Sequence, residues 1–345
     1  MKKFISTILA SAMVLSLVGC GTDAAAEREA NTATETTTET EATATDSQTY
    51  SVGVIQLVQH PALDAATEGF SDALKEKLGD NVEINVQNAS GDTATCATIA
   101  NSLVSDNVDL IMANATPAMQ ASSTATNSIP IVATSITDYG TALGIDNWEG
   151  TTGINVTGTS DLAPLDGQAE MLNELFPEAK EVGIIYCSGE DNSLYQANKI
   201  TEYLEGYGYN VTAYTFSDSA DVATVVQTAC GESDVLYVPT DNVAASCAET
   251  INNVALTAGV PIIAGEEGIC KGCGLATLSI SYYDIGYAAG LMAYEILANG
   301  QDPASYEIQY ATDFTKEYNP VIAETLGITL PDDYVAIEME EETEE

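Results

Sequence analysis

Residues 235–242 read VLYVPTDN, a short apolar run that ends at a proline and is followed by three residues with hydrogen-bonding side chains. An apolar run of this length is typical of a buried strand. Ligands of open α/β sheets bind just beyond the carboxyl ends of such strands, so Asp241 is a candidate ligand contact. Alternatively, Asp241 or Asn242 caps the helix that follows, and from this stretch alone capping is the simpler interpretation.

The chain contains this pattern twice, at an offset of about 125–131 residues. DLIMANATP at 109–117 corresponds to DVLYVPTDN at 234–242, and VGVIQL at 52–57 corresponds to VGIIYC at 182–187. Two further pairs, VEINVQ with VTAYTF and IPIVATSI with VPIIAGEE, keep the same order. Strands that are apolar on both faces and alternate with helices predict parallel sheets flanked by helices. The repeat therefore predicts an α/β protein with two similar doubly wound parallel-sheet lobes joined by a hinge.

The segments that connect the two predicted lobes lie at 155–161 and 278–281. A helix predicted over 282–299 returns the chain to lobe one. The predicted boundaries are 50–158 with 281–310 for lobe one and 159–280 with 311–335 for lobe two. Two lobes joined by several crossings form a clamshell, and its cleft lies between the carboxyl ends of both sheets.

The N-terminal segment indicates export. Residues 1–20 begin with two lysines, continue with an apolar run and end in Leu-Val-Gly-Cys, which predicts a signal peptide with a lipidation site at Cys20. An ordinary signal peptide with a chance cysteine is the alternative. Residues 21–49 are rich in Thr, Ala and Glu and are predicted to be a disordered tether, and residues 336–345 a solvated acidic tail. The predicted location is the outer face of a bacterial membrane.

The charge distribution limits the classes of partner. The formal net charge is −43 at pH 7, and beyond residue 50 the chain has six lysines and no arginine. A nucleic-acid surface requires a basic stripe, and tight phosphate binding usually uses arginine or the lysine of a glycine-rich loop. The composition argues against a nucleic-acid partner and favours a neutral or amine-bearing small molecule.

Loops that follow the predicted strands supply hydroxyls, amides and carboxylates to the cleft. An ammonium group is expected to bind Asp241, with help from Asp161 or Glu266. An anionic group has no arginine to bind, so hydroxyls and the first turns of helices would hold it. Two such helix starts are predicted, at Thr116-Pro117 and at Asn192-Ser193. Each residue alone is more often a cap or a hinge contact, but together they predict a binding site.

The sequence offers little for catalysis. Its single histidine, His60, could act as a catalytic base only beside a nucleophile, and the sequence contains no nucleophile-elbow motif. We therefore interpret His60 as a residue at the cleft rim whose ring packs on a planar ligand. Cys270 and Cys273 have the spacing of half a zinc site, but no second pair or nearby histidine accompanies them. We therefore predict no catalytic residues, metal or cofactor. In an exported protein the two cysteines could form a disulfide, but we interpret them as structural or free thiols.

Several motifs resemble one family when they are taken together. They are QLVQHPALDAATEGF at 56–70, QNASGD at 87–92, VDLIMANATPAMQ at 108–120, VTGTSDLAP at 156–164, YVPTDN at 237–242 and GEEGICKGCGLATLSISYYDIG at 265–286. The combination is similar to the substrate-binding proteins of ABC transporters in the TrpX/TrpY-like group. This resemblance implies the type I periplasmic-binding fold and a ligand that is tryptophan or a related aromatic amino acid, delivered to permease and ATPase subunits.

The resemblance also implies roles for individual residues. Those expected to hold the α-amino and carboxylate groups are Thr116, Ser135, Ser160, Ser193 and Asp241, and those expected to border the side chain are Leu57, His60 and Asn88. The sequence departs from the family at 187–190, where Cys-Ser-Gly-Glu replaces Asn-Pro-Gly-Glu. Tryptophan, phenylalanine and tyrosine therefore stay open as ligands. The alternatives are a receptor for a nucleoside, sugar or aliphatic amino acid, or a ligand sensor without transport.

Overall fold

The structure, a computed structural model, describes residues 49–339. The predicted signal peptide, Cys20 and nearly all of the predicted tether lie outside the described residues. Within residues 49–339, no helix combines the length and the apolar character needed to cross a membrane.

Strands and helices alternate along most of the chain. The strands are β1 Tyr50–Gln56, β2 Val82–Asn88, β3 Leu110–Asn114, β4 Ile131–Ile136, β5 Val156–Ser160, β6 Glu181–Cys187, β7 Asn210–Phe216, β8 Val235–Val238, β9 Ile262–Ala264, β10 Ala276–Ser279, β11 Gln309–Tyr310, β12 Thr315–Tyr318 and β13 Val335–Ala336. The helices are α1 Pro61–Leu78, α2 Thr93–Ser105, α3 Thr116–Ala125, α4 Tyr139–Leu143, α5 Leu165–Leu175, α6 Asp191–Tyr207, α7 Val222–Glu232, α8 Asn242–Ser246, α9 Ala248–Ala258, α10 Glu267–Cys273, α11 Tyr282–Asn299 and α12 Pro320–Leu326.

The strands form two sheets with matching topology. The first, in lobe one, has the order β2-β1-β3-β4-β5-β11, and the second, in lobe two, has the order β7-β6-β8-β9-β10-β12-β13. All neighbouring strands are parallel except β10 and β12. Both sheets begin with the doubly wound order second-first-third-fourth-fifth, which places a topological switch point beside the first strand. The prediction of two similar doubly wound lobes is confirmed.

A matching aspartate ties the first strand to the third strand in each lobe. Asp109 Oδ2 accepts the Ser51 N–H at 2.7 Å, and its own N–H donates to Ser51 O at 2.8 Å. Asp234 Oδ2 accepts the N–H groups of Lys180 at 2.7 Å and Glu181 at 3.0 Å, and its own N–H donates to Glu181 O at 2.8 Å. The two aspartates occupy equivalent positions of the repeat, so the repeated sequence encodes a repeated contact.

Helices cover both faces of each sheet, which explains the continuous apolar strands. On β3, Met112 packs with Phe70 of α1 and Met292 of α11. The preceding residue, Ile111, packs on the opposite face of the sheet with Leu103 of α2. Every residue of β3 is buried. A strand in this setting has no polar face and reads as an apolar run rather than an alternating one.

Two predicted boundaries differ from the structure. β5 keeps Thr159 and Ser160 in the first sheet, so the chain leaves lobe one after residue 160 rather than after 158. At the C-terminal end, Ala336 pairs with Tyr318, and the Ile337 N–H donates to Tyr318 O at 2.9 Å. The apolar residues that precede the acidic run therefore extend the second sheet, and packing continues past the predicted start of the tail at 336.

Helix α11 crosses α1 at very short range. A Cβ atom on Gly286 would lie 2.1 Å from the carbonyl oxygen of Ala66, and one on Gly69 would lie 2.1 Å from the carbonyl oxygen of Tyr283. Only glycine permits backbones to approach this closely. The crossing fixes the start of α11 against lobe one.

Replacing Gly286 by alanine is expected to lower the free energy of unfolding by about 1–3 kcal/mol, because the added methyl group meets backbone atoms that cannot rotate away. The matched control is Gly206 in α6, where a Cβ would meet no atom within 4 Å. Gly206→Ala is expected to stabilise the protein by up to about 1 kcal/mol through helix propensity. Urea denaturation measures both changes, and equal effects of the two variants would contradict the close crossing.

Candidate ligand-binding site

A narrow cavity of about 10 Å³, with room for about one water molecule as the lobes stand, lies between the lobes, beyond the carboxyl ends of both sheets. Its walls come from segments at the ends of the inner strands of both sheets and from the start of α11. These strand ends flank the switch points, where doubly wound sheets bind their ligands. Five of the predicted site residues line the cavity: His60, Ser135, Asp161, Asn192 and Asp241.

Three other predicted residues are buried near this cavity without lining it. Thr116 is the first residue of α3. The Ser193 hydroxyl donates a hydrogen bond to the Asp241 carboxylate. Ser160 Oγ donates to Thr137 O at 3.2 Å and accepts the Leu162 N–H at 3.2 Å, so it ties the hinge together. These contacts support the site and its hinge.

The structure does not bring Leu57 and Asn88 to this cavity. Leu57 packs in the apolar core of lobe one and borders a neighbouring opening of the cleft. Asn88 is exposed, and its side-chain oxygen accepts the Ser90 N–H at 2.7 Å in a turn. The physical reason is topological, since Asn88 ends β2, the edge strand of the first sheet.

Six further residues line the cavity: Leu63, Thr240, Asn242, Ala245, Glu266 and Tyr282. Thr240, Asn242 and Glu266 lie in the loops after β8 and β9, where the sequence predicted polar residues of the cleft, and Glu266 was offered there as a second carboxylate for the ammonium. The sequence did not point to Tyr282, Leu63 and Ala245, which lie within helices, where an apolar or aromatic residue is expected in the core.

Asp241 caps a helix and also faces the cavity. Its Oδ1 accepts the Ala244 N–H at 2.7 Å at the start of α8, and its Oδ2 accepts the Cys187 N–H at 2.6 Å. Burial, followed by the negative charge of Glu190, raises the pKa of Asp241 to about 7. The capping interpretation is therefore correct, and the cap holds a carboxylate at the cavity wall.

Glu266 repeats this arrangement on the next strand. Its carboxylate accepts the Gly268 N–H at 2.6 Å and the Ile269 N–H at 2.5 Å at the start of α10. Burial raises the pKa of Glu266 to about 7. Two helix caps in lobe two thus present carboxylates to the same cavity.

Asp161 is the third carboxylate of the cavity and lies just after β5. Its Oδ1 accepts the Thr137 hydroxyl at 3.1 Å, and its Oδ2 accepts the Tyr282 hydroxyl at 3.0 Å. Burial raises the pKa of Asp161 to about 6, and these two hydrogen bonds oppose the rise. Among the described residues, no lysine or arginine lines the cavity. The cavity is therefore suited to a ligand that carries positive charge.

Several buried polar atoms at the site have no hydrogen-bond partner within the described part of the chain. Three of them belong to cavity-lining residues: His60 Nδ1, Ser135 Oγ and Asn192 Oδ1. Thr116 Oγ1, at the start of α3, is a fourth. Buried polar groups are normally paired, because an unpaired one loses its bonds to water without compensation. Their concentration here indicates that a ligand supplies the missing partners.

Two non-glycine residues near the cavity have positive φ angles. Ala115, which precedes α3, has φ 89° and ψ 155°, and Ser135 in β4 has φ 58°. Such conformations cost about 1–3 kcal/mol each and persist where the surrounding structure enforces them. In β4 the register shifts between Ala133 and Ile136, which accompanies the turn of Ser135 toward the cavity.

Hydrogen bonds join the lobes across the cleft. Three of the side-chain pairs are His60 Nε2 with Asn242 Oδ1 at 3.3 Å, Gln120 Nε2 with Asp191 Oδ2 at 3.1 Å, and Gln196 Nε2 with Thr137 Oγ1 at 3.3 Å. Each pair takes one residue from each lobe. The lobes are therefore in contact on more than one side of the cavity.

The cysteines within the described residues are free thiols. Cys270 and Cys273 are buried in α10, and burial raises the pKa of both. A thiol that keeps its proton is a poor nucleophile and a poor metal ligand. The pair therefore packs α10 as apolar side chains do.

A family model for the ABC transporter substrate-binding proteins matches residues 51–341. The chain belongs to this family. It is an extracytoplasmic substrate-binding protein of the type I periplasmic-binding fold, and neither the family nor the fold is that of an enzyme. The predicted family resemblance is thereby confirmed.

Relatives of this substrate-binding protein include a tyrosine-binding protein from Clostridioides difficile strain R20291. The two are 39% identical over 304 residues, which cover 86% of this chain and 84% of the relative. A solved Streptococcus pneumoniae ABC domain in complex with L-Trp is 33% identical with a TM-score of 0.79, covering 83% of this chain and 97% of that one.

A ligand-free, open substrate-binding protein with adhesive properties from Clostridium difficile is 35% identical with a TM-score of 0.65, covering 84% of this chain and 100% of that one. The two solved structures are thus about equally similar in sequence, but the ligand-bound one superposes better. The hydrogen bonds between the lobes show that the lobes of the present protein are in contact.

Proposed function

We propose that this substrate-binding protein is the receptor of an ABC importer and encloses a free aromatic α-amino acid between its lobes. The observation that carries the proposal is the set of unpaired buried atoms on His60, Ser135 and Asn192, which meet at an acidic cavity. A zwitterion with a ring would satisfy these atoms and neutralise part of the acidity.

The ammonium group of the ligand is assigned to lobe two. Asn192 Nδ2 lies within hydrogen-bond distance of Glu190 Oε2, Ser193 Oγ and Thr240 O, at 3.0, 3.2 and 3.2 Å, so these oxygens share its two protons and its Oδ1 is left as an acceptor at the cavity. Asp241 lies on the same wall with its carboxylate held by two backbone N–H groups. A charge-assisted bond to a buried carboxylate is stronger than one to a neutral acceptor.

The carboxylate group of the ligand is assigned to lobe one. The hydroxyls of Ser135 and Thr116 are buried and unpaired, and each can donate one hydrogen bond. Thr116 also begins α3, and the first turn of a helix offers N–H groups and a favourable dipole to an anion. Hydroxyls and a helix start thus replace the arginine that many amino-acid sites use.

The side chain of the ligand is assigned to the apolar and planar part of the wall. Leu63, Ala245 and the rings of His60 and Tyr282 line the cavity. Such surfaces suit an aromatic ring, which prefers offset-stacked or edge-on contacts with other rings. The names of the relatives, one a tyrosine-binding protein and one solved with L-Trp, support this class of ligand.

Closure of the cleft is the proposed mechanism of capture. The closed state gains the bonds between the lobes, and a ligand shifts the protein toward it only through its higher affinity for that state. Release then requires a partner that favours the open state. We assign that role to a permease with its ATPase subunits, and we assign retention at the outer face of the membrane to lipidation of Cys20.

Calorimetry of the purified protein against the standard amino acids tests the ligand assignment. Binding heat is expected with tyrosine and tryptophan, and no heat with alanine, leucine or glutamate. The absence of heat with all three aromatic amino acids would reject the assignment. Heat with a sugar or nucleoside instead would favour the alternative receptor function.

A further inference from the structure

The orientation of the Asn242 side chain is fixed by Glu190. Glu190 Oε2 accepts Asn242 Nδ2 at 2.6 Å and the Asn242 N–H at 3.2 Å. It also accepts Asn192 Nδ2 at 3.0 Å, and its Oε1 accepts the Val243 N–H at 3.0 Å. Rotating the Asn242 amide by half a turn would place its oxygen against this carboxylate, acceptor against acceptor. The amide nitrogen therefore faces Glu190, and the amide oxygen faces lobe one.

This orientation determines the tautomer of His60. The Asn242 oxygen lies 3.3 Å from His60 Nε2, so Nε2 must carry a proton to donate. Burial lowers the pKa of His60, and the opposing effects of the Asn242 hydrogen bond and the nearby charge of Asp64 are smaller. A neutral ring that is protonated on Nε2 has a bare lone pair on Nδ1.

That lone pair has no partner within the protein. His60 Nδ1 is buried and unpaired among the described residues, and the side chain does not cap α1, although His60 holds the N-cap position. The residue is 7% exposed and lines the interlobe cavity. The cavity is thus the place from which a donor can reach it.

We propose that His60 Nδ1 accepts a hydrogen bond from a donor on the ring of the ligand, the phenol of tyrosine or the indole N–H of tryptophan, and thereby selects against phenylalanine. This inference rests on the proposed function. The ammonium group of the ligand is not the donor, because the cavity carboxylates Asp161, Asp241 and Glu266 bind it more strongly than a neutral imidazole does.

The selection arises from an unpaired acceptor. An apolar pocket discriminates weakly between rings of similar size, whereas a site with a buried hydrogen-bonding group rejects the analogue that leaves this group without a partner. Tyrosine and tryptophan are therefore expected to bind at least about tenfold more tightly than phenylalanine.

Calorimetry with tyrosine, phenylalanine and 4-methoxyphenylalanine tests the proposal, because the methoxy analogue keeps the ring oxygen and lacks the donor. His60→Leu is expected to reduce the tyrosine-to-phenylalanine ratio of affinities to about twofold. His60→Asn places an amide oxygen near the position of Nδ1, so it is expected to retain most of the preference. A preference that His60→Leu leaves unchanged would overturn the proposal.

The single histidine of the chain allows a direct measurement. Protein labelled with ¹⁵N in histidine is expected to show Nε2 protonated and Nδ1 bare in the free state. Tyrosine is expected to shift the Nδ1 resonance in the direction of hydrogen bonding, and phenylalanine is not. A proton on Nδ1 in the free protein, or equal shifts with both ligands, would overturn the proposal. Equal affinities for tyrosine and phenylalanine would overturn it while leaving the proposed function intact, whereas no binding of either would overturn both.

Discussion

Replacing Asp241 by asparagine is expected to weaken binding of the amino acid by about 100-fold or more. Truncating one member of a buried, hydrogen-bonded charge pair typically costs 2 to more than 5 kcal/mol of binding free energy, or roughly 30-fold and upward. Asparagine keeps an oxygen for the Ala244 N–H, so α8 stays capped. Its amide nitrogen replaces the oxygen that accepts the Cys187 N–H, so two donors face each other. We therefore expect the variant to fold but to have a lower melting temperature. Calorimetry at about pH 8, where Asp241 is ionised, measures the effect.

Glu266→Gln is the matched control for this variant. Glu266 lines the same cavity, caps a helix with two backbone N–H contacts and is equally buried, so its replacement has a similar structural cost. If the ammonium lies on Asp241, Glu266→Gln is expected to weaken binding by less than about tenfold. Equal losses in both variants would mean that the cavity attracts the ligand through its total charge, and the specific role of Asp241 would then be wrong.

The parts of the fold that could be predicted are those that local chemistry controls. Both sheets were predicted because parallel strands covered on two faces must be apolar throughout, and because the repeat gives each lobe an independent copy of the pattern. Helix starts followed from proline and hydroxyl residues, as at Pro61 and Thr116. Topology then placed the cleft, since matching strand orders put matching strand ends in the two lobes.

The parts of the site that could not be predicted depend on contacts between distant elements. Tyr282 reaches the cavity because α11 crosses α1 at Gly286, a contact that no local pattern records. Asn88 was predicted as a contact because it ends a strand, but that strand is the edge of its sheet. Weighting strand ends by their distance from the switch point would have removed Asn88 and favoured Asn242.

The acidity of the cavity leads to an expected pH dependence. Lowering the pH from about 8 to about 5.5 is expected to weaken amino-acid binding by roughly 30-fold, the effect of one proton that binds with a pKa of about 7. Burial and the charge of Glu190 favour protonated Asp241 in the free protein, whereas the ammonium of the ligand requires the ionised form. Binding therefore releases a proton, and calorimetry in two buffers of different ionisation enthalpy measures that release directly.

The stability of the ligand-free protein is expected to change in the opposite direction. The pKa values of Asp161, Asp241 and Glu266 are raised to about 6, 7 and 7, above those of the unfolded chain, so their contribution is complete at acidic pH and is lost as the pH rises through those values. The melting temperature without ligand should fall between about pH 5 and pH 8, while the increment added by tyrosine should grow. The lowered pKa of His60 acts in the opposite direction, because the unfolded chain binds a proton at this histidine at acidic pH and the buried ring resists it, but three carboxylates outweigh one imidazole. Asp241→Asn is expected to lose most of the pH dependence of binding. If the affinity of the unaltered protein did not change with pH, Asp241 would be ionised before the ligand binds, and the prediction would be wrong.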